Sequence, residues 1–345
     1  MALTRRLAYL GALLALLALA ACGQGGATTA PQATQAPQAT AAAVATTAPE
    51  ATAAAVATAA PEATQAPAPT AAAEATAAPE ATAATTAGGN DLLADVKKRG
   101  KLLIATDANY KPQSFKNSDG TWDGFDIAVG KEVAKRLGVE AEFLDISWDI
   151  ITAGSWNGRF DMNAGSMTIT SDRKKVLYFT GPYYYTPAAF AVHKDSKAAS
   201  IDDLKGKKVG VGTATTYLDY LQGKLTLEGE QVLKPAPEGT EAKIYDTDQL
   251  ALADLELGDG TRLDAVLTAL PTIQDAIKDG KPFKVLSDPV YYEDLALAFD
   301  QKSPTDSKSL ADAVTKIIDE MHKDGTLTKL SMKYYGIDLT TKASS

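Results

Sequence analysis

The chain has 345 residues and a formal net charge of −9 at pH 7, with 34 basic and 43 acidic side chains. This acidic balance, without any lysine- or arginine-rich run, argues against a nucleic-acid partner. The single cysteine excludes a disulfide framework and a cysteine-based metal site.

The first 22 residues predict a secretory signal. Arg5 and Arg6 precede an apolar run over 7–21, which is short for a membrane span and ends in small residues. The ending Leu-Ala-Ala before Cys22 resembles the bacterial lipobox, in which the cysteine carries a lipid and becomes the new N-terminus. We therefore predict a lipoprotein signal peptide over 1–22 and lipidation at Cys22.

Residues 23–90 predict a disordered tether. Ala, Thr, Pro, Gln and Glu dominate this stretch, and the unit Ala-Pro-Glu-Ala-Thr starts at Ala48, Ala60 and Ala78. Regular prolines prevent long helices, and few large apolar side chains are present to form a core. The folded part is then predicted from about residue 91 to the end, roughly 250 residues, a length that suits two lobes.

Strands and helices alternate at the start of the folded part. The predicted elements are a strand over 101–106, a helix over 125–137, a strand over 139–144, a short helix over 148–157 and a strand over 160–164. Such alternation predicts the α/β class with a mostly parallel sheet, whose ligands bind beyond the carboxyl ends of the strands. The loops that begin at Asp107 and Gly165 both follow such strand ends.

The second of these loops has the residues of an anion-binding site. Thr170 is predicted to cap a helix that begins near Arg173, because its hydroxyl can accept from the free N–H groups of a first turn. An anion there would meet free N–H groups, the helix dipole and a guanidinium together. Gly165 permits close backbone approach, and Ser166 and Thr168 offer hydroxyls. The alternative is an exposed arginine after an ordinary turn.

The strand–loop–helix pattern recurs in the second half. A strand over 207–212 is followed by Thr215 and Thr216, which open a helix at Tyr217 and predict a second anion-binding loop. The glycines at 210 and 212 lack the third glycine of a dinucleotide loop, so no nucleotide cofactor is expected. The remaining predictions are strands over 263–267, near 285 and over 295–299, and helices over 249–257, 272–278, 309–322 and 327–335.

Eight short motifs follow one another in a fixed order after the tether. They are Asp107-Ala-Asn-Tyr110-Lys-Pro112, Gly124-Phe-Asp126, Gly158-Arg-Phe-Asp161, Met167-Thr-Ile-Thr-Ser-Asp-Arg173, Phe179-Thr-Gly-Pro-Tyr183, Leu204-Lys-Gly206-Lys-Lys-Val-Gly210-Val, Leu263-Asp-Ala-Val266 and Asp324-Gly-Thr-Leu327. Together they resemble the extracellular solute-binding proteins of family 3, which serve polar amino-acid ABC importers. The resemblance covers nearly all of the chain after the tether.

The resemblance implies a two-lobed, periplasmic-binding-protein-like clamp of type II, with two crossover strands at a hinge. The implied parts are lobe 1 over 91–190 and 296–345, lobe 2 over 191–295, and crossings near 188–193 and 295–299. Trp148 and Trp156 are expected in the core of the first lobe rather than in the ligand cleft.

The same resemblance assigns the ligand-binding residues. Arg173 matches the arginine that pairs with the ligand α-carboxylate, and Gly165 and Thr168 match loop positions that bind the same group. Thr215 and Thr216 match the loop of the second lobe that holds this carboxylate from the other side. Positions that face the rest of the ligand are matched by Asp107, Tyr110 and Ile151.

The sequence departs from the family pattern at two places. Family members usually carry an aspartate for the ligand α-ammonium five residues after the Asp of the Asp-Ala-Val strand, and this position is Ala269. Either Asp107, Glu293 or Asp294 then supplies the negative charge, or the ligand lacks the usual ammonium group. Gln113 replaces a frequent aromatic residue, which makes that wall of the cleft more polar.

The function implied by the resemblance is a lipid-anchored receptor outside the cytoplasmic membrane. It would capture a polar amino acid or related small carboxylate by lobe closure and present it to an ABC permease, as a monomer without metal, cofactor or catalytic activity. One alternative is a cleft enzyme of the same fold, of the prephenate or arogenate dehydratase type, with Asp107 or Glu293 as the acid. Another is a ligand sensor that acts in trans.

Overall fold

The structure, a computed structural model, describes residues 90–342. Cys22, the predicted signal peptide and the predicted tether up to residue 89 lie outside the described residues. None of the helices within 90–342 is long and apolar enough to cross a membrane.

Helices and strands alternate along most of the described chain. The helices are α1 (Leu92–Arg99), α2 (Phe125–Leu137), α3 (Trp148–Thr152), α4 (Thr216–Leu221), α5 (Asp248–Glu256), α6 (Leu270–Lys278), α7 (Lys308–Lys323) and α8 (Thr326–Tyr335). The strands are β1 (Lys101–Thr106), β2 (Asn109–Tyr110), β3 (Ser114–Lys116), β4 (Trp122–Asp123), β5 (Glu140–Asp145), β6 (Met162–Thr168), β7 (Leu177–Phe179), β8 (Tyr184–His193), β9 (Lys208–Gly212), β10 (Glu241–Tyr245), β11 (Ala265–Ala269) and β12 (Phe283–Asp300).

Two sets of parallel strands are joined by two antiparallel strands. The first set has the order β5-β1-β6, and the second has the order β10-β9-β11. Strands β8 and β12 pair with each other between the sets, with a register shift between Leu286 and Tyr291. Strand β8 also pairs with β11, and β12 with β6. The fold is therefore a two-lobed clamp of type II whose lobes are connected by β8 and β12.

The strand pairing indicates where the chain passes from one lobe to the other. Strand β8 pairs with the second set from Ala188 onward, and β12 pairs with the first set from Leu295 onward. We propose from this pairing the lobe boundaries near 190 and 295 that the resemblance implies.

Separate hydrophobic clusters lie beside the two strand sets. Beside the first set, Ile104 and Phe125 pack with Val314 and Leu327 from α7 and α8, and all four side chains are fully buried. Beside the second set, Val209 and Leu267 lie in one cluster, and a further cluster lies around Val266. Burial of each large apolar side chain stabilises the fold by about 1.5–3 kcal/mol.

The start of α2 is attached to the segment that carries Tyr110. The N–H groups of Phe125 and Asp126 donate to the carbonyls of Pro112 (3.2 Å) and Gln113 (2.9 Å). Gly124 precedes this helix with φ of 123°, and a Cβ there would lie only 2.2 Å from the carbonyl oxygen of Gln113. Only glycine combines this φ with so close a backbone approach.

Two predicted helices are shorter in the structure. The helix predicted from Thr170 is a three-residue 3-10 turn, Arg173–Lys175, because the chain pairs with β12 again as β7 directly afterwards. Thr170 nevertheless accepts from the N–H of Arg173 at 3.2 Å. Helix α3 ends at Thr152 instead of 157, and the Asp300 carboxylate accepts from the N–H groups of the loop that follows.

Other predictions differ in extent. The strands predicted near 285 and over 295–299 are a single strand, β12, because β8 pairs along most of its length. The strand predicted over 160–164 is β6 and extends to Thr168. Sequence reasoning missed α1, the small sheet of β2, β3 and β4, and strands β7 and β10, which are short or have weak periodicity. The helix predicted over 125–137 is confirmed, and it ends at Gly138 as expected.

Candidate ligand-binding cleft

A polar cleft lies where loops from both strand sets meet. Segments after β1, β9 and β10 line it, together with the end of β6, one residue of β12 and the first residue of α3. Its lining residues are Asp107, Tyr110, Trp148, Gly165, Ser166, Thr168, Arg173, Gly212, Thr213, Thr215, Thr216, Tyr217, Asp246, Thr247, Asp248 and Glu293.

Eight of the nine predicted ligand-binding residues lie in this lining. They are Asp107, Tyr110, Gly165, Ser166, Thr168, Arg173, Thr215 and Thr216. The ninth, Ile151, does not line the cleft. Its side chain is fully buried and packs in a cluster with Trp156, Phe160 and Met167, because α3 turns this face toward the core. The structure therefore does not support Ile151 as a ligand contact.

Arg173 is the only arginine in the lining. Its Nη1 donates to the carbonyl of Thr168 (3.1 Å) and its Nη2 to the carbonyl of Ala214 (3.0 Å), so the guanidinium joins loops from both strand sets. The Trp148 ring centre lies 5.6 Å from Cζ. The side chain is buried, and burial lowers the pKa of Arg173. Within residues 90–342 no ion pair involves this guanidinium, and the charge of Glu293 offsets part of the effect of burial on its pKa.

The backbone on both sides of the guanidinium has the left-handed conformation. Ser166 has φ of 56° and Ala214 has φ of 54°.

The Ser166 hydroxyl donates to Asp126 Oδ2 (2.6 Å), and its N–H donates to the Tyr183 hydroxyl (3.1 Å). Burial raises the pKa of Asp126 to about 6. The hydroxyl predicted to face the ligand is therefore directed to a buried carboxyl group.

The threonine hydroxyls of both loops also have protein partners. Thr168 Oγ1 and Thr216 Oγ1 each donate to Glu293 Oε1 at 2.6 Å. Thr215 Oγ1 donates to the carbonyl of Gly212 (2.7 Å) and accepts from Leu218 N at 3.3 Å, which caps α4. This capping confirms the predicted role of hydroxyls at the start of the helix.

Four lining residues, one tryptophan and three acidic residues, were missed by sequence reasoning or assigned elsewhere. Trp148 was expected in the core but lies in the cleft against Arg173. Asp248 and Asp246 follow β10, a strand that was not predicted. Glu293 was considered only as a substitute for the missing ammonium partner. For Asp246 and Asp248, the signal was a further polar loop after a strand, which is the same signal that identified the loops after β1, β6 and β9.

Asp248 is a buried carboxyl group in the cleft. Its Oδ1 accepts from Gly212 N (3.1 Å) and its Oδ2 from Thr268 Oγ1 (2.6 Å). Burial raises the pKa of Asp248 to about 7 from an ordinary value of 3.8, and the nearby charge of Asp107 adds to this effect. Burial also raises the pKa of Asp107. The second strand set thus places a group that titrates near neutral pH beside the guanidinium loops.

Stability should depend on the ionisation of Asp248. Because its pKa is raised, the folded state binds more protons than the unfolded state between about pH 4 and 7, so stability falls as pH rises through this window. In Asp248→Asn this contribution disappears. Urea unfolding at pH 4 and pH 8 measures this effect. Relative to wild type, the unfolding free energy of the variant should be higher at pH 8 than at pH 4 by on the order of a few kcal/mol. If the unfolding free energy of Asp248→Asn differs from that of wild type by the same amount at pH 4 and pH 8, the assignment is contradicted. Asp259→Asn, at an exposed position, is the control, and its difference from wild type should be the same at both pH values.

Direct bonds connect the two sides of the cleft outside the guanidinium region. Gln113 Nε2 donates to Thr272 Oγ1 at 3.2 Å, and both residues are buried. Lys111 Nζ lies 2.6 Å from Asp279 Oδ2 at the rim. Ala269 is buried at the end of β11 and does not line the cleft, so no carboxylate occupies the usual ammonium position. The described conformation is closed over the cleft.

Comparison with known proteins places this architecture in one family. Residues 102–337 match the model of the bacterial extracellular solute-binding proteins, family 3. The L-cystine-binding protein TcyJ of Escherichia coli (strain K12) is 34% identical over 251 residues, which cover 72% of this chain and 88% of that protein. The L-arginine-binding protein of Pseudomonas aeruginosa is 30% identical over 250 residues, 69% of this chain and 89% of that protein.

Solved structures agree with these relatives. An ancestral amino acid-binding protein, AncCDT-1, described as a precursor of cyclohexadienyl dehydratase, has a TM-score of 0.61 and 32% identity, and the match covers 71% of this chain and all of that chain. An ancestral arginine-binding protein bound to arginine has a TM-score of 0.59 and 31% identity, covering 69% of this chain and 99% of that chain. The chain belongs to the bacterial extracellular solute-binding proteins of family 3.

Proposed function

We propose that the protein is the substrate-binding lipoprotein of an ABC importer. It captures a polar amino acid or a related small carboxylate by lobe closure and delivers it to a permease. Cys22 carries the lipid anchor, and the predicted tether connects the anchor to the folded part. The names of the relatives, which include cystine- and arginine-binding proteins, support the amino-acid class.

One observation carries this proposal. Arg173 is a buried guanidinium, held by carbonyls from both sides of a closed cleft, and within residues 90–342 it has no ion-pair partner. A buried charge is stable only when a counter-charge and hydrogen bonds compensate for its desolvation. Glu293 acts on the guanidinium without forming an ion pair. A ligand carboxylate would add a direct counter-charge, and a planar guanidinium binds it with two parallel hydrogen bonds. Since the guanidinium touches both lobes, such a ligand favours the closed form.

The test is a ligand screen of the purified full chain by thermal unfolding, followed by calorimetric titration. The ligands are the common amino acids, L-cystine, and the matching 2-hydroxy acids. A ligand at one hundred times its Kd adds about 2.7 kcal/mol to stability, which raises Tm by about 5–10 °C for a domain of this size. The mass of the mature chain purified from membranes should include a lipid on Cys22. Absence of any stabilising amino acid or carboxylate would refute the proposal.

A dehydratase is the second candidate, because one solved neighbour is described as a precursor of cyclohexadienyl dehydratase. Asp248, with a pKa raised to about 7, and the buried Glu293 are carboxyl groups in the cleft that could act as a general acid. The curated relatives are binding proteins, which favours the receptor. Incubation with cyclohexadienyl substrates such as prephenate distinguishes the two, since the enzyme would form an aromatic product with new ultraviolet absorption.

A further inference from the structure

Glu293 connects the two sides of the cleft from its floor. It lies on β12, is 2% exposed, and accepts at Oε1 from Thr168 and Thr216, both at 2.6 Å. Its Oε2 accepts from the Tyr217 hydroxyl at 3.0 Å. Thr168 ends β6, whereas Thr216 and Tyr217 begin α4. A carboxylate of the protein itself therefore receives hydroxyl groups from both strand sets.

This arrangement changes how the ligand carboxylate is bound. The resemblance assigns the hydroxyls of Thr168 and Thr216 to that carboxylate. A hydroxyl has only one proton to donate, and both threonines donate it to Glu293. The ligand carboxylate is left with Arg173 and backbone N–H groups. The cleft thus has a cation for the carboxylate and a second charged group, Glu293, whose pKa is raised by burial while three hydroxyl donors and the charge of Arg173 oppose this shift.

The geometry of an α-amino acid restricts which carboxylate can bind its ammonium group. Standard bond lengths place the amino nitrogen about 2.5 Å from the carboxyl carbon. The ammonium partner must therefore lie beside the guanidinium that binds the carboxylate. Glu293 meets this condition through Thr168, whose carbonyl accepts from Arg173 Nη1 at 3.1 Å and whose hydroxyl donates to Glu293 Oε1 at 2.6 Å.

The hydrogen bonds of Asp248 and Asp107 lead to residues that the Arg173 guanidinium does not bind. Asp248 uses one oxygen for Gly212 N and the other for Thr268 Oγ1. Asp107 Oδ1 accepts from the backbone and side chain of Asn109. Glu293 Oε2 has a single hydroxyl donor, and a carboxylate oxygen has two lone pairs, so one position is left for a further donor.

We propose that Glu293 binds the ligand α-ammonium group and determines the preference for amino acids over other carboxylates. It takes the role that the resemblance gives to an aspartate at the position of Ala269, but from the hinge strand instead of β11. The inference rests on the proposed function. It also means that the ammonium partner is held by hydroxyls from both lobes, so ammonium binding and closure are coupled.

The experiment compares wild type with Glu293→Gln and Glu293→Asp in the full chain, using the same panel of amino acids and 2-hydroxy acids. Glutamine has the same shape and still accepts the threonine hydroxyls, but it removes the charge. The best amino acid should bind Glu293→Gln at least tenfold more weakly, because a charge-assisted hydrogen bond is lost. The matching 2-hydroxy acid should bind both proteins equally. Glu293→Asp should retain more of the amino-acid preference than Glu293→Gln.

Asp294→Asn is the matched control. Its carboxylate follows Glu293 on the same strand but is directed to Lys342, at 3.8 Å, and does not line the cleft. The preference should be unchanged in this variant.

Each other outcome contradicts the inference. If wild type and Glu293→Gln bind the amino acid with equal affinity, Glu293 does not bind the ammonium group. If Glu293→Gln loses the same affinity for the amino acid and for the 2-hydroxy acid, Glu293 only holds the two sides of the cleft together and does not recognise the ammonium group. Wild type that binds 2-hydroxy acids through Arg173 but no amino acid overturns the inference and leaves the proposed receptor intact, whereas no binding of either class overturns both.

Discussion

Arg173→Ala is expected to lower the affinity for a carboxylate ligand by at least a hundredfold. Removing one partner of a buried, hydrogen-bonded charge pair typically costs about 2–5 kcal/mol of binding free energy. Arg173→Lys keeps the charge but not the planar fork, so it should restore only part of the affinity. Calorimetric titration of the best ligand from the screen measures both effects.

Arg173→Ala should weaken ligand binding without a large change in the stability of the ligand-free protein. In the free protein, the variant loses two hydrogen bonds to main-chain carbonyls, but it also removes a buried charge without an ion-pair partner in residues 90–342. We therefore expect a similar unfolding free energy without ligand. Arg136→Ala is the control, since Arg136 pairs with Glu132 and Asp324 and none of these three residues lines the cleft. Undiminished affinity in Arg173→Ala would exclude the guanidinium as the carboxylate site.

Gly124→Ala is expected to destabilise the fold by about 4 kcal/mol or more. The new Cβ would lie 2.2 Å from the Gln113 carbonyl oxygen and 3.0 Å from that of Pro112, and neither backbone group can rotate away. The positive φ adds strain for any residue with a Cβ. Urea unfolding measures this loss. Because the displaced segment follows Tyr110 in the cleft, the remaining folded protein should also bind ligand more weakly.

Gly120→Ala separates the cost of the close backbone contact from the cost of the positive φ. Gly120 also has a positive φ, 82°, but a Cβ there would meet no heavy atom within 4 Å. Its cost should be limited to the conformational term, about 1–2 kcal/mol. Similar losses in both variants would show that the close approach of Gln113 contributes little.

The sequence predicted the cleft better than it predicted the elements around it. The resemblance assigned Arg173, Thr168 and Thr216 to one site, and the expectation that ligands bind beyond the carboxyl ends of parallel strands agreed with this assignment. The helix expected after Thr170 was wrong, since local capping signals do not report that the next residues pair with β12. Ile151 shows the same limit: a position in a motif does not fix which way a short helix turns.

The sequence named Glu293 together with Asp107 and Asp294 as possible partners of the ammonium group, but it could not distinguish among them. Strand β12 is buried on both faces along much of its length, so alternation of polar and apolar residues does not indicate which side chains reach the cleft. The pairing register, in which Glu293 lies opposite Thr186, determines its direction. Its hydroxyl partners come from positions 125 and 77 residues away, a coincidence that follows only from the folded topology.

The left-handed residues on either side of the guanidinium have a consequence for the speed and selectivity of capture. Ser166 and Ala214 keep this conformation, at a cost of about 1–2 kcal/mol each, only because their surroundings fix them. We therefore expect their loops to keep this shape when a solute binds, so that binding loses little entropy in ordering them. Motion on capture is left to the paired ribbon of β8 and β12. We therefore expect the protein to discriminate against solutes that would require these two loops to change shape.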